Sequence, residues 1–338
     1  MFKKKSKVGD ILDVIILLLL VVLMYFLPSL AFIISLISNV LMCVIVYRSS
    51  MVKSIGCAIT IFAFMIMFSL TQNNLSLIFI FDCVISTLNF LLTGFCIGIT
   101  CKYTGEISKI LISGTLANIV IVALEIVRYR IEYTTSVLDA LVNKPVKDFL
   151  NAYDEAVKAS GFDFTDMFGA GIEDVIWVLQ QSISMIVPAL LILSSLVLAF
   201  IIFTVSKKIL GAYKVKLYTR DFCEYQLPAA TSIALVFSYV VTMFSSSTFG
   251  AAFANILIIL TVLYVVCGFS VIEYKFKSKI NLPILRIVLY IIFILIASFI
   301  AMLIPFFNVL TILMIIGMFD GVYDFRKLRQ TDKFKEEE

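Results

Sequence analysis

Asp82, Ser86 and Asn89 fall at offsets of four and seven within one apolar stretch, so a helix places all three on one face. Asn118 and Glu125, separated by seven, share a face in the next stretch, and Gln181 stands near the start of a later one. Polar groups are expensive in hydrocarbon, so a carboxylate, a hydroxyl and amides gathered there are candidates to hold a ligand or an ion. On the topology derived below they lie mainly in the outer half of the bilayer and would line a vestibule open to the outside. Each also has a plainer reading. Asp82, roughly 9 Å from the outer end of its helix, can reach interfacial water. Glu125 can pair with Arg128 one turn on, and Asn89 and Asn118 can be hydrogen-bonding glue between helices. Gly94 and Gly98 form a G-x-x-x-G step at which another helix can approach closely.

What is missing narrows the chemistry further. The chain has no histidine, which excludes Ser-His and Cys-His nucleophiles, H-E-x-x-H metalloprotease chemistry and imidazole metal sites. There is no Walker A run for nucleotide hydrolysis. Tyr323-Asp324 matches the first half of an intramembrane aspartyl-protease pair, but no G-x-G-D partner is present. No enzymatic activity, cofactor or metal site is expected.

These side chains need apolar helices to carry them, and the composition supplies little else. Of 338 residues 62% are hydrophobic and 15% charged, with a mean hydropathy of +1.08, against about 25% charged in a soluble domain. This is the composition of an all-α, polytopic transmembrane bundle. A span needs about 20 apolar residues, and about ten stretches qualify, eight if two long ones are counted singly. They run over 11–27, 29–47, 54–70, 76–100, 109–127, 175–205, 228–246, 249–272, 284–304 and 306–322. The runs 11–47 and 284–319 are broken at Pro28 and Pro305 and read as tight hairpins, with one span plus a re-entrant piece as the alternative.

Charge orients the chain, because cytoplasmic loops retain Lys and Arg. With the N-terminus inside, 22 of the 27 basic residues fall on the cytoplasmic side. The other five, Arg128, Arg130, Lys144, Lys147 and Lys158, lie in one long outside loop where nine acids outnumber them. Both termini are therefore expected in the cytoplasm of a bacterial cell whose inner membrane the chain crosses repeatedly. The net charge of +4 reflects topology rather than a nucleic-acid surface. No small-residue cleavage site follows the first apolar run, which is expected to be retained. The seven cysteines contain no C-x-x-C, and none falls in the outside loop, so reduced thiols are expected.

The resulting order is a basic cytoplasmic N-terminus (1–10), five spans (11–127), an acidic extracytoplasmic loop (128–174) and a long span (175–210). A basic cytoplasmic loop (211–227), a four-span bundle (228–325) and a charged cytoplasmic tail (326–338) follow. Inside the acidic loop Val146, Phe149, Leu150, Tyr153 and Val157 form one apolar face. Pro145 suits its first turn and Ser160-Gly161 its stop. This helix is expected to lie on the outer membrane surface or to pack on the helix that follows. That next helix runs unbroken from Ile172 to about Leu210, with Asp174, Trp177 and Gln180 at or above the interface and Pro188 as a kink point.

The last apolar run ends in Gly317, Asp320, Asp324, Phe325 and Arg326. This G-x-x-D-x-x-x-D-F-R ending, with Leu227-Pro228 opening a span after a basic loop, resembles the YybS-like family of polytopic bacterial membrane proteins. The resemblance implies a distant similarity to the six-helix substrate-binding subunits of energy-coupling-factor transporters, with the first six spans as the substrate-binding unit. Asp320 and Asp324 sit one turn apart, where Arg326 or Lys327 can neutralise them as the helix leaves the membrane; a partner-docking site is the alternative.

Two functions follow. One is a component that binds or transports a small hydrophilic molecule, at an outward site near Asp82, Asn89, Asn118, Glu125 and Gln181. It would be driven by an energising ATPase and membrane module or by an ion gradient. The other is a non-transporting scaffold or regulator whose basic segments, Lys207 to Arg220 and Arg326 to Lys335, engage anionic lipid or another membrane protein.

Overall fold

The computed structural model describes residues 7–70, 77–133, 136–160, 171–213, 215, 221–245, 248–280, 282–303 and 308–328. Outside them lie Lys3 to Lys5, Gly161, Asp163, Asp166, Gly169, Lys214, Lys216, Arg220, Pro305 and Arg329 to Lys335. Among the described residues the chain is all-helical, and it forms two compact units, Met1–Thr219 and Arg220–Glu338.

Unit 1 contains α1 (Lys7–Phe26), α2 (Ala31–Arg48), α3 (Met51–Leu70), α4 (Leu77–Tyr103), α5 (Ile107–Tyr133), α6 (Lys144–Ala159) and α7 (Ile172–Ala212). Pro28 breaks the first apolar run as expected, opening a 3-10 turn over Pro28–Leu30. Helix α5 runs past the expected span end at 127, carried by Arg128, which pairs with Glu125 behind it and Glu132 ahead. Helix α7 is continuous over 41 residues, roughly 61 Å, with Pro188 inside it.

Two apolar clusters share α2 and α4. One joins Leu17 and Val21 of α1, Met42 of α2, Ile61 and Met65 of α3 and Phe90 of α4. The other joins Val40 and Cys43 of α2, Ile97 of α4, Ile110 of α5 and Ala199 and Ile202 of α7. Lipid is as apolar as leucine, so burial alone does not hold such helices together; close packing and hydrogen bonds must. The α2–α4 crossing meets that demand through glycine. A Cβ on Gly94 would lie 1.9 Å from the Asn39 carbonyl oxygen, and one on Gly98 2.8 Å from that of Cys43. The G-x-x-x-G step therefore receives α2.

The apolar face of α6 is only partly covered. Leu150 and Val157 are buried with Asp154, which Lys158 approaches at 2.7 Å, whereas Phe149 stays 69% exposed. The expected five-residue face is wider than the contact α6 makes with α7, and its open flank suits a membrane interface. The join is polar: Gln180 Nε2 of α7 donates to the Asn143 carbonyl at 2.8 Å.

Unit 2 contains α8 (Ala229–Phe244), α9 (Thr248–Lys279), α10 (Pro283–Leu303) and α11 (Val309–Tyr323). Helices α9 and α11 cross with a glycine from each side. A Cβ on Gly268 would lie 2.1 Å from the Leu313 carbonyl oxygen, and one on Gly317 2.2 Å from that of Tyr264. The buried Tyr264 hydroxyl bonds Thr231 (2.6 Å) and Ser232 (2.8 Å) of α8. Helix α10 packs on α11 and is tied to α9 by Glu273, which pairs with Arg286 and accepts from the Tyr290 hydroxyl at 2.9 Å.

Among the described residues six helices are long and apolar enough to cross a membrane by length and composition, four of them in α2–α5 and the others α7 and α9. Four shorter apolar helices are Leu12–Phe26, Ala229–Phe244, Ile284–Ile296 and Val309–Tyr323.

Gly94→Ala and Gly268→Ala should each lower the thermal stability of detergent-solubilised protein, by about 1–3 kcal/mol as overpacked sites do. Gly56→Ala, where an added Cβ meets nothing within 4 Å, should leave it unchanged or slightly raised.

Candidate functional site

The polar residues of α2 and α4 are organised by Asn39, a residue the face analysis did not single out. Asn39 is 3% exposed. Its Nδ2 donates to the Asn89 carbonyl at 2.7 Å and to the Ser35 carbonyl at 3.0 Å, and its Oδ1 accepts from the Gly94 N–H at 2.8 Å. The amide thereby bridges two backbone groups of α4 that lie five residues apart. Only the missing side chain at Gly94 lets it come so close. Ser35, one turn before Asn39, donates to the Asn89 carbonyl at 2.9 Å and reaches Asn89 Oδ1 at 3.4 Å.

Beside this crossing is a cleft of about 440 Å³ at the Pro28 end of unit 1. Its polar lining is Ser35, Ser86, Asn89 and Glu125, and its aromatic lining is Tyr25, Phe32 and Phe90. Four elements position these groups: the end of α1 with Tyr25, the Pro28 turn with the start of α2, the Ser86–Phe90 segment of α4, and the later turns of α5.

Of the five residues proposed from sequence as ligand-binding, the structure brings Asn89 and Glu125 into this one lining. Asp82 lies close by in charge terms, with Arg128 Nε 2.6 Å from its Oδ1. The same guanidinium lies 3.3 Å from Glu125 and 3.7 Å from Glu132. Asn118 is turned to α7 instead, where its Nδ2 donates to Ser195 Oγ at 2.9 Å and Ser195 in turn donates to the Leu191 carbonyl at 2.7 Å. That is the interhelical-glue reading of Asn118. Gln181 is exposed on α7 and is not among the residues lining the cleft.

In unit 2 the terminal motif closes on itself. Arg326 is 5% exposed, and all five of its N–H groups are used. Nε and Nη2 donate to Asp320 Oδ2 at 3.1 and 2.7 Å. Nη2 also donates to the Tyr225 carbonyl (2.8 Å), and Nη1 donates to Ser270 Oγ (2.8 Å) and to the Cys223 carbonyl. Gln226 Nε2 donates to the carbonyl of Asp320 at 2.8 Å and to the side chain of Asp324 at 3.1 Å. The chain turns back to make this possible: Asp324 adopts the left-handed conformation (φ 48°), ending α11, and its Oδ1 accepts from the Leu328 N–H at 3.0 Å. The expected pairing of Arg326 with an acid of the motif is present for Asp320, and both side chains are buried. Phe325 stays exposed and stacks on Tyr323.

A family model described as predicted membrane protein (DUF2232) matches residues 14–321. The chain belongs to the DUF2232 family. The DUF2232 match takes in the whole cleft lining together with Gly317 and Asp320, and ends before Asp324 and Arg326. No curated protein and no solved structure matches the chain. With the family and the apolar helices together, this is a membrane protein embedded in a lipid bilayer.

All seven cysteines are free thiols. Cys223 lies in the turn that receives Arg326, outside the spans, and burial pushes its thiol above the ordinary range. Its alkylation should be slow at pH 7.5, with a rate profile displaced to higher pH than that of a free cysteine, because the thiolate is the reacting form. Arg326→Ala leaves Asp320 buried without its counterion and should cost about 3–5 kcal/mol. Arg326→Lys, with three donors for five acceptor contacts, should restore only part of that. Thermal denaturation and the Cys223 alkylation rate read both, and wild-type behaviour of Arg326→Ala would refute the account of the buried pair.

Proposed function

We propose that the chain is a binding or transport component for a small molecule, acting through the cleft lined by Ser35, Ser86, Asn89 and Glu125. The observation that carries this reading is the convergence of four polar side chains from α2, α4 and α5 on one cleft of about 440 Å³, a size typical of small-molecule sites. Asp82 acts beside it by holding Arg128. The charge distribution of the sequence supports an outward opening: the Pro28 end of α1 and α2 is opposite the lysines of the N-terminus and Arg48.

On this reading the protein sits in a bacterial inner membrane with both ends in the cytoplasm and eight to ten spans. The six apolar helices of unit 1, α1–α5 and α7, agree in number with the six-helix substrate-binding subunits that the YybS-like resemblance implies. Energy then comes from an ATPase and membrane module or from an ion gradient, and the chain itself performs no covalent chemistry. The scaffold reading keeps its basic segments near Lys207 and Lys208 but loses Arg326, which is buried in the ion pair with Asp320.

The test is accessibility of the cleft from outside. A Ser86→Cys protein in intact cells should be modified at residue 86 by a membrane-impermeant maleimide, located by mass spectrometry. Modification only in inside-out vesicles, or in neither, would overturn the outward-facing site.

A further inference from the structure

We infer that the ligand of this cleft is a small organic cation, a protonated amine carrying an apolar or aromatic body. The inference rests on the binding reading above and adds the chemistry of what is bound.

Charge is the first argument. Among the described residues no Lys or Arg lines the cleft, and Glu125 is the carboxylic acid that does. The nearby guanidinium of Arg128 is shared among three carboxylates, lying 2.6 Å from Asp82, 3.3 Å from Glu125 and 3.7 Å from Glu132. One positive charge among three negative ones leaves the cluster at about −2, and Asp82 holds Arg128 more closely than Glu125 does. These side chains are each about a third exposed, so solvent screens part of the excess, but Glu125 still presents a carboxylate to the cleft and favours a cation there over an anion. An anion would meet repulsion from the same groups.

The lining supplies the second argument, independent of the first. The rings of Tyr25 and Phe32 border the same space as Glu125, and aromatic faces attract ammonium groups while packing against apolar carbon. A bare metal ion needs a cage of oxygen ligands. Among the described residues no group of three or more metal-binding side chains is close enough to form one. The hydroxyls of Ser35 and Ser86 and the amide of Asn89 can accept from an ammonium N–H, so the polar part of the lining suits the head and the aromatic part the body.

The experiment uses three probes with one phenyl ring and different heads: 2-phenylethylammonium, neutral 2-phenylethanol and anionic 3-phenylpropanoate. Binding to the full chain in lipid nanodiscs is measured by saturation-transfer NMR, with empty discs subtracted. The cation should bind at least tenfold more tightly than the alcohol, the anion should not bind, and the cation should protect Ser86→Cys from maleimide. Glu125→Gln should abolish the preference for the cation and Glu125→Asp should keep it, which separates loss of charge from loss of fold. If the alcohol binds and protects as well as the amine does, the cation assignment is overturned while the cleft remains a binding site. If Ser86→Cys reacts from outside and the amine neither binds nor protects, the assignment is likewise overturned. A residue 86 closed to outside reagent removes the binding reading itself, and the inference with it.

Discussion

At Gly94 the backbone of α4 comes so near α2 that a side-chain amide reaches a helical N–H and a helical carbonyl at once. Everything at the Pro28 end of unit 1 depends on that approach. Asn39 joins the Asn89 carbonyl to the Gly94 N–H, Ser35 adds a second bond to Asn89, and together these bonds hold the register of the two helices. A hydrogen bond made where no water competes is lost outright when its geometry slips. The crossing therefore determines where the Ser86–Asn89 face of α4 points, and α5 completes the lining with Glu125.

Unit 2 solves the same problem with a different emphasis. Its α9–α11 contact is as close, with a glycine on each side, but the polar work is done by a full charge. A buried ion pair is stabilising only when the remaining donors and lone pairs also find partners. Arg326 meets that condition on the donor side through the carbonyls of Cys223 and Tyr225 and the hydroxyl of Ser270. Those carbonyls lie in and just after the 3-10 turn Phe222–Glu224, where the Tyr225 carbonyl also accepts from Ser270 Oγ at 3.0 Å, so the ion pair and the turn support one another. Asp320 Oδ1, buried without a hydrogen-bond partner among the described residues, is the exception on the acceptor side.

Hydropathy, proline and glycine carried most of the architecture. The break at Pro28, the long α7, the amphipathic α6 and the G-x-x-x-G step were all legible, because each is a local property of the chain. The partners were not. Periodicity places Asn89 and Asn118 on helical faces without telling what faces them, and they separate, one to the cleft and one to Ser195. Asn39 carried a usable signal, an i, i+4 pair with Ser35 inside an apolar run, but no carboxylate stands beside it to mark it out. For Arg326 the pairing with the motif acids was legible but its burial was not: a basic residue just past a span reads as a cytoplasmic flank, and the left-handed turn at Asp324 sends it inward.

The same turn has a consequence for biosynthesis. Arg326 closes on carbonyls near Cys223, 103 residues earlier in the chain, so the turn that begins unit 2 is made long before its partner exists. At about 5–20 residues per second of translation, the Cys223–Tyr225 segment waits on the order of 5–20 s, at the edge of the bilayer, with those acceptors open to water. Arg326, which follows the last described helix of this unit, thus acts as its latch, and a chain that stops after α11 lacks it. Such a nascent chain holds Asp320 without the guanidinium that neutralises it in the finished unit.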